Sequence, residues 1–408
     1  MDRHAIRKHN TLTVLRAVRD LEPISKTELS NLTGLTVATI SSIISDLGKI
    51  GLIGETKDMR STGGRKAVLV ELNGSDAVVV SVVIDRHGVR TALLTLGGEL
   101  FHMHYGQFQE DRTEEVVFAE VERLIKEALS HVTDQLVLGI GITSDGLIDS
   151  DEGLWLRPQD FQFRNISVRN RLANKFNMPV LFAQSGQGMA VGEYLFGAGV
   201  GCTSFVHVHI GETIRTGIIL NGRLFTGFNF GAGNVAHVRV SSRNIPCTCG
   251  STGCFEAMAT HSGIVTRFIQ RMEDRDISKL FEMVNYDLSG LSADMVYTNA
   301  IQRDPIARQV IRDTGRYIGR GLGAIANLIN PEKIFISGIY NAHSIMNREI
   351  NKFLAHSAVS NNLNRVYVGE TGIAEAPGTI GAGALVIQAL YEGHLELDSL
   401  TTRKMEAE

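Results

Sequence analysis

The sequence predicts an α/β body preceded by a small winged helix-turn-helix head, and three observations lead there. From residue 78 onward, apolar runs of strand length alternate with amphipathic helical stretches, the pattern of α/β layers with mixed sheets. The first 70 residues read instead as short helices followed by a hairpin. At 408 residues the chain also exceeds what one core fills, so two or three domains are expected.

In the head, Val14, Leu15 and Val18 lie at helical spacing and continue to Leu21, so a first helix stops before Pro23. Ser25 and Glu28 form a capping-box pair that opens a second helix, which runs to about Thr33. Gly34 supplies a turn and Thr36 caps a third helix. Ile40, Ile43 or Ile44, Leu47 and Ile50 face inward there, while Thr39, Ser41, Ser42 and Ser45 face outward. Leu52–Glu55 and Ala67–Glu71 read as strands flanking a basic loop with Arg60, Gly63, Gly64, Arg65 and Lys66, a β-wing that can reach phosphates or a minor groove. Helices alone would also suit a dimerisation module. The wing and the charge favour double-stranded DNA, read by Thr36, Val37, Thr39, Ser41, Ser42, Arg65 and Lys66. The third helix lacks the usual bidentate base readers, so Arg65 and DNA shape are expected to carry much of the specificity.

Charge supports this division of labour. The whole chain carries −4, but residues 1–70 hold 11 Lys/Arg against 7 Asp/Glu and the remainder 29 against 37. A chance fluctuation of a few charges would give the same asymmetry; a basic head on an acidic body is also what results when only the head meets phosphate. No apolar secretory segment opens the chain, and the longest apolar runs, such as Val78–Ile84, are of strand length, so a cytoplasmic protein without a membrane span is expected.

In the body, Val78–Ile84, Thr91–Leu96 and Leu136–Ile142 read as strands and Glu114–Leu129 as a helix, with a second set of strands at Ser204–His209 and Thr216–Leu220. The sharpest chemical feature is His237 with Cys247, Cys249 and Cys254, three of the chain's four cysteines within eight positions. One imidazole and three thiolates complete a closed tetrahedral Zn2+ shell of the structural type. A redox role for the cysteines is the alternative, and Cys202, standing apart, reads as a core residue. The run Gly197-Ala198-Gly199-Val200-Gly201 joins a helix to a strand and reads as a connecting loop, although its glycines resemble a nucleotide loop.

Taken together, these residues resemble the repressor branch of the ROK family (repressors, open reading frames and kinases), which includes regulators of xylose, glucose and N-acetylglucosamine genes. The head matches through Arg7, Asn10, Pro23-Ile24-Ser25, Glu28-Leu29, Gly34-Leu35-Thr36, Gly51-Leu52-Ile53 and Gly63-Gly64-Arg65, with Lys26 and Lys66 as mild departures. Cys247 to Glu256 matches the family's Cys-x-Cys-Gly-x-x-Gly-Cys-x-Glu motif in full, and Asn221-Gly222, Asn330-Pro331-Glu332 and Thr379-Ile380-Gly381-Ala382 match further on. The resemblance runs from about residue 7 to 390. It implies a body of two ribonuclease-H/actin-like, sugar-kinase-like domains and a homodimer or tetramer. The division expected is 1–72 for the head, 75–195 for a first α/β domain completed by a C-terminal helix at about 378–392, and 196–377 for a second domain carrying the cysteine loop.

Against the family's kinases, three phosphoryl-transfer elements are altered. Asp85-Arg86-His87-Gly88-Val89 stands where a glycine-rich phosphate loop is usual, and Gly211-Glu212-Thr213-Ile214-Arg215 replaces the second one. Gln184-Ser185 replaces the Asn-Asp pair, and a serine hydroxyl has no suitable pKa for taking a proton from a sugar hydroxyl. No enzyme activity is therefore expected. The resemblance implies a ligand site at Gln184, Ser185, Asn234, His237 and Glu256, with Asp145 where proline is usual before Gly146. The changed residues stay polar, which suits a sugar or sugar derivative as effector. A sugar-controlled repressor of carbohydrate-utilisation genes is thus the expected function. An active kinase with a regulatory head, a regulator governed by a protein partner over a vestigial pocket, and an activator are the alternatives.

Overall fold

The head of the computed structural model is built from α1 (Arg3–Leu21), β1 (Ile24–Ser25), α2 (Lys26–Thr33), α3 (Val37–Lys49), β2 (Ile53–Arg60) and β3 (Ala67–Leu72). The structure describes residues 3–60, 67–273, 290–338, 344–357 and 367–395, so the expected wing residues Arg65 and Lys66, with Gly63 and Gly64, lie outside the described residues. Ser25 caps α2 with the reciprocal Glu28 bond, and Gly34 ends that helix in a left-handed conformation at φ 71°. Val14, Leu15, Val18, Leu29, Ile40, Leu47 and Leu52 form the head's core. Two features differ from the sequence reading. Helix α1 begins near Arg3, because its first turns lie in solvent and so show no apolar periodicity. Ile24 and Ser25 also add a short strand, giving the sheet order β1-β3-β2.

Two compact units account for the chain: residues 1–188 with 378–408, and residues 189–377. In the first unit, β4 (Ala77–Ile84), β5 (Gly88–Thr95), β6 (Leu100–Gln107), β7 (Leu136–Ser144) and β11 (Val180–Gln184) form a sheet of order β11-β7-β4-β5-β6. Strands β11, β7 and β4 run parallel and the remaining pairs antiparallel. Helix α4 (Glu114–Leu129) covers one face with Phe118, Val121 and Ile125, which pack in one cluster with Trp155 and Phe182. A separate three-stranded sheet, β8 (Gly146–Asp149), β9 (Leu154–Pro158) and β10 (Ile166–Ser167), was not foreseen, since its strands are too short to show a period.

The C-terminal helix α12 (Pro377–Glu392) lies against this first sheet, where glycines permit backbone contact. A Cβ on Gly141 of β7 would stand 2.0 Å from the Ala382 carbonyl oxygen, and one on Gly383 would stand 2.3 Å from Ser81 Oγ. At its far end α12 holds α1. Arg16 Nε donates to the Tyr391 carbonyl at 2.7 Å, and the Arg19 guanidinium sits 4.6 Å over the Tyr391 ring.

In the second unit, β12 (Phe205–Ile210), β13 (Ile214–Leu220), β14 (Arg223–Leu224), β15 (Lys333–Gly338) and β16 (Tyr367–Glu370) are ordered β14-β13-β12-β15-β16. Val206, Val208 and Ile210 share one core with Phe255, Phe268, Ile318 and Leu322, whereas Phe205 belongs to another with Phe335 and Cys202. Glu332 explains the Asn-Pro-Glu run: its Oε1 accepts from the Thr203 and Ser204 backbone N–H groups at 3.0 and 2.9 Å and so fixes the entry to β12.

His207, on β12, is fully buried and neither ring nitrogen has a partner among the described residues. Burial pushes its pKa down to about 3, with His209 adding repulsion. The unfolded value is about 6.5. The neutral form is thus favoured by folding, and the stability it contributes is present above pH 6.5 and lost as pH falls from there towards 3. Urea unfolding at stepped pH is expected to show stability dropping by up to roughly 1.4 kcal/mol per pH unit more in this chain than in a His207→Leu variant. Parallel pH curves for the two chains would refute this.

Candidate metal centre and ligand site

Local turns bring the four metal-ligand candidates together. His237 closes the 3-10 turn Val235–His237. Cys247 and Cys249 lie in a tight turn in which the Cys247 N–H donates to the Ser251 carbonyl and the Gly250 N–H to the Cys247 carbonyl, with Gly250 at φ 88°. Cys254 is buried directly before helix α7 (Phe255–Ala259). Gly253 has to be glycine: its φ is 69°, and a Cβ there would stand 2.2 Å from the Ser241 carbonyl oxygen.

All four donor atoms lie within 4.8 Å of one another. Cys249 Sγ is 3.7 Å from Cys254 Sγ, and Cys247 Sγ is 3.6 Å from His237 Nδ1. A tetrahedral zinc shell with Zn–S of about 2.3 Å and Zn–N of about 2.0–2.1 Å has S···S edges of about 3.8 Å and S···N edges of about 3.6 Å. Both measured edges fit. The sulfur separation is also well beyond a disulfide bond of about 2.05 Å, so Cys249 and Cys254 are unbridged. Burial pushes the Cys254 thiol up to about 12, whereas the Ser251 backbone N–H draws Cys249 down.

Of the residues expected to hold a ligand, Asp145, Gln184 and Ser185 belong to the first unit. Parallel β7 and β11 end in register at Ser144 and Gln184, so Asp145 and Ser185 leave the same carboxyl edge of the sheet, where α/β folds place their ligands. Ser185 is buried and opens helix α6 (Ser185–Phe196). The Asp145 carbonyl is held by Trp155 Nε1 at 3.2 Å. Asn234, His237 and Glu256 belong to the second unit. Glu256 accepts from the Ile214 backbone N–H at 3.3 Å and from Thr248 Oγ1 at 3.4 Å, tying the cysteine turn to the Gly211–Arg215 loop. Nothing in the sequence signals the Ile214 contact, which joins positions 42 residues apart.

In the first altered phosphate loop a side chain engages the backbone donors. Asp85 Oδ1 accepts from the backbone N–H groups of His87 and Gly88 at 2.8 and 3.2 Å, and Asp85 Oδ2 accepts from Arg90 at 2.5 Å. Backbone donors that could meet an anion are therefore already occupied by a carboxylate.

A kinase-like α/β body with a Cys3His cluster, carrying a helix-turn-helix head, is the class these features define. The chain belongs to the ROK family, whose sequence profile matches residues 79–389. It is similar to the xylose repressor of Caldicellulosiruptor bescii, 28% identical over 345 residues that cover 82% of this chain and 84% of that protein. Its fold is similar to the crystal structure of a ROK family transcriptional regulator described as a homologue of the Escherichia coli MLC protein. The TM-score there is 0.84 at 27% identity, covering 97% of this chain and 99% of the other. A glucokinase of Halalkalibacterium halodurans is 27% identical over 319 residues, 77% of this chain and 96% of its own. Among the described residues, no helix is long and apolar enough to cross a membrane.

Proposed function

We propose that the protein is a sequence-specific DNA-binding transcriptional repressor of carbohydrate-utilisation genes, released from its operator by a sugar or sugar derivative. The observation that carries this reading is coverage. The regulator structure matches 97% of the chain, head included, whereas the glucokinase matches 77%, a share that leaves room for the head outside it. The head, residues 1–72, supplies the reading helix through Thr36, Val37, Thr39, Ser41 and Ser42, with Arg65 and Lys66 of the wing on the phosphates or minor groove.

The residues proposed to contact effector are Asp145, Gln184 and Ser185 of a domain spanning 75–195 (with 378–392), and Asn234, His237 and Glu256 of a domain spanning 196–377. Phosphoryl transfer is absent in this reading. Ser185 cannot act as the general base, and the Asp85 carboxylate occupies the donors of the first loop. Zn2+ held by His237, Cys247, Cys249 and Cys254 supplies structure, and the measured edges support it. His237 Nδ1 faces the Cys247 thiol, so that nitrogen would hold the metal and the opposite one would be offered to a sugar hydroxyl. A homodimer or tetramer would present two heads to half-sites about one helical turn apart, ~34–36 Å.

A genomic-fragment binding screen with the zinc-loaded protein tests this, repeated across salt concentrations and with a panel of sugars. The expected result is a few two-fold-symmetric sites beside carbohydrate genes, weakened by salt and released by one sugar class, with no ATP turnover on any hexose. Binding that no sugar alters would favour control by a protein partner, and ATP consumption would restore the kinase.

A further inference from the structure

We infer that the leading tip of α3 recognises the 5-methyl groups of thymine through Val37 and Ala38. The inference rests on the DNA-binding reading above and adds what that head reads. Val37, the first residue of the helix, is 47% exposed, and Ala38 beside it is exposed too. A single exposed valine is ordinary on a protein surface. Its position makes this one informative, because a recognition helix enters the major groove by its N-terminal end.

The two threonine hydroxyls at that tip are partly engaged with each other and with the helix end. Thr36 Oγ1 accepts from the Thr39 backbone N–H at 3.2 Å and lies 2.9 Å from Thr39 Oγ1, so the helix end and their mutual bond take up one of the two hydroxyl hydrogens and part of their acceptor capacity. From Thr36 to Gly48 the chain has no Arg, Lys, Asn or Gln. The one charged side chain in that stretch, Asp46, is bound by Arg7 at 2.7 Å and by Lys49 at 3.3 Å. An isopropyl and a methyl group therefore lead into the groove. Thymine's 5-methyl is the apolar feature that the major groove presents, and guanine or cytosine offers these side chains nothing to bond. The basic balance of residues 1–70 supplies the phosphate attraction that seats the helix, and methyl contacts supply discrimination.

The test uses the full-length zinc-loaded protein and operators selected from a random DNA library. Selected half-sites are expected to hold thymine at one or two adjacent positions. Replacing those thymines by deoxyuridine keeps base pairing and removes only the methyl. Each buried methyl lost is expected to weaken binding about fourfold, hence about sixteenfold when both half-sites are changed. In Val37→Ala, which sits on an exposed helix start and should melt like the parent chain, deoxyuridine at the Val37-contacted position should cost much less; Ala38→Gly should do the same for its own position. Unchanged affinity on replacing every half-site thymine, with selective binding intact, overturns this inference and leaves the repressor reading standing. A methyl effect that neither variant alters also overturns it, because another side chain then does the reading. Absence of any sequence-selective binding overturns both readings together.

Discussion

Withdrawing the metal from the purified protein with a strong chelator is expected to unfold the turn between His237 and Cys254 and to abolish cooperative melting of residues 189–377. The cluster is wired into the core of the second unit. Cys254 is buried at the start of α7, Gly253 presses on the Ser241 carbonyl, and the Phe255 N–H donates to the Val238 carbonyl. Phe255 itself is fully buried in the second unit's core, in contact range of Gly321. Losing the turn therefore opens that core. Apparent binding free energies for closed zinc sites are about 10–16 kcal/mol, as large as the whole stability of a typical domain. One zinc per chain by elemental analysis, three newly reactive thiols after chelation and a collapsed melting transition are the expected readouts. A cobalt-loaded sample should show the visible absorption of a tetrahedral thiolate site, and Cys249→Ser should weaken it. A chelated protein that melts like the untreated one would rule out a structural metal.

Legibility in the sequence followed the range of the interactions concerned. The Cys247-to-Glu256 spacing and the Ser25/Glu28 capping box are local, involving residues a few positions apart, and both appear in the structure as read. The strands Val78–Ile84 and Thr216–Leu220 are legible because buried strands are largely apolar. By contrast, the first turns of α1 and the small β8–β10 sheet carry no usable period. Asp85 was read as part of a degenerate phosphate loop. That its carboxylate binds the loop's own N–H groups is a matter of geometry, since the identity of the residue leaves its side-chain direction open. The sequence offers Val37 as a candidate reading residue, whereas the mutual bond of Thr36 and Thr39 beside it depends on side-chain rotamers that residue identities leave open.

Gly141→Ala, the smallest possible change, is expected to destabilise the first unit by about 1–3 kcal/mol, lowering its melting temperature by roughly 2–12 °C. The added Cβ would fall 2.0 Å from the Ala382 carbonyl oxygen and 2.8 Å from its carbon, with Gly383 Cα at 3.3 Å. These are helix backbone atoms, so no rotamer change relieves the clash and α12 has to move away from β7. Displacing α12 also disturbs the head, because the same helix carries Tyr391, whose carbonyl accepts from Arg16 and whose ring lies beneath Arg19. Gly393, just past its end, packs on Leu12. DNA affinity should therefore fall with the melting temperature, while zinc content, which depends on residues 237–254, stays at one per chain. Gly74→Ala, where an added Cβ meets nothing within 4 Å, serves as the matched control and should leave both quantities unchanged. If Gly141→Ala melts like the control, the close approach of α12 to β7 is not what seats the head. If it melts lower yet binds operator with full affinity, the Arg16 and Arg19 contacts to Tyr391 do not transmit strain to α1, and the route from effector to head has to run elsewhere in the chain.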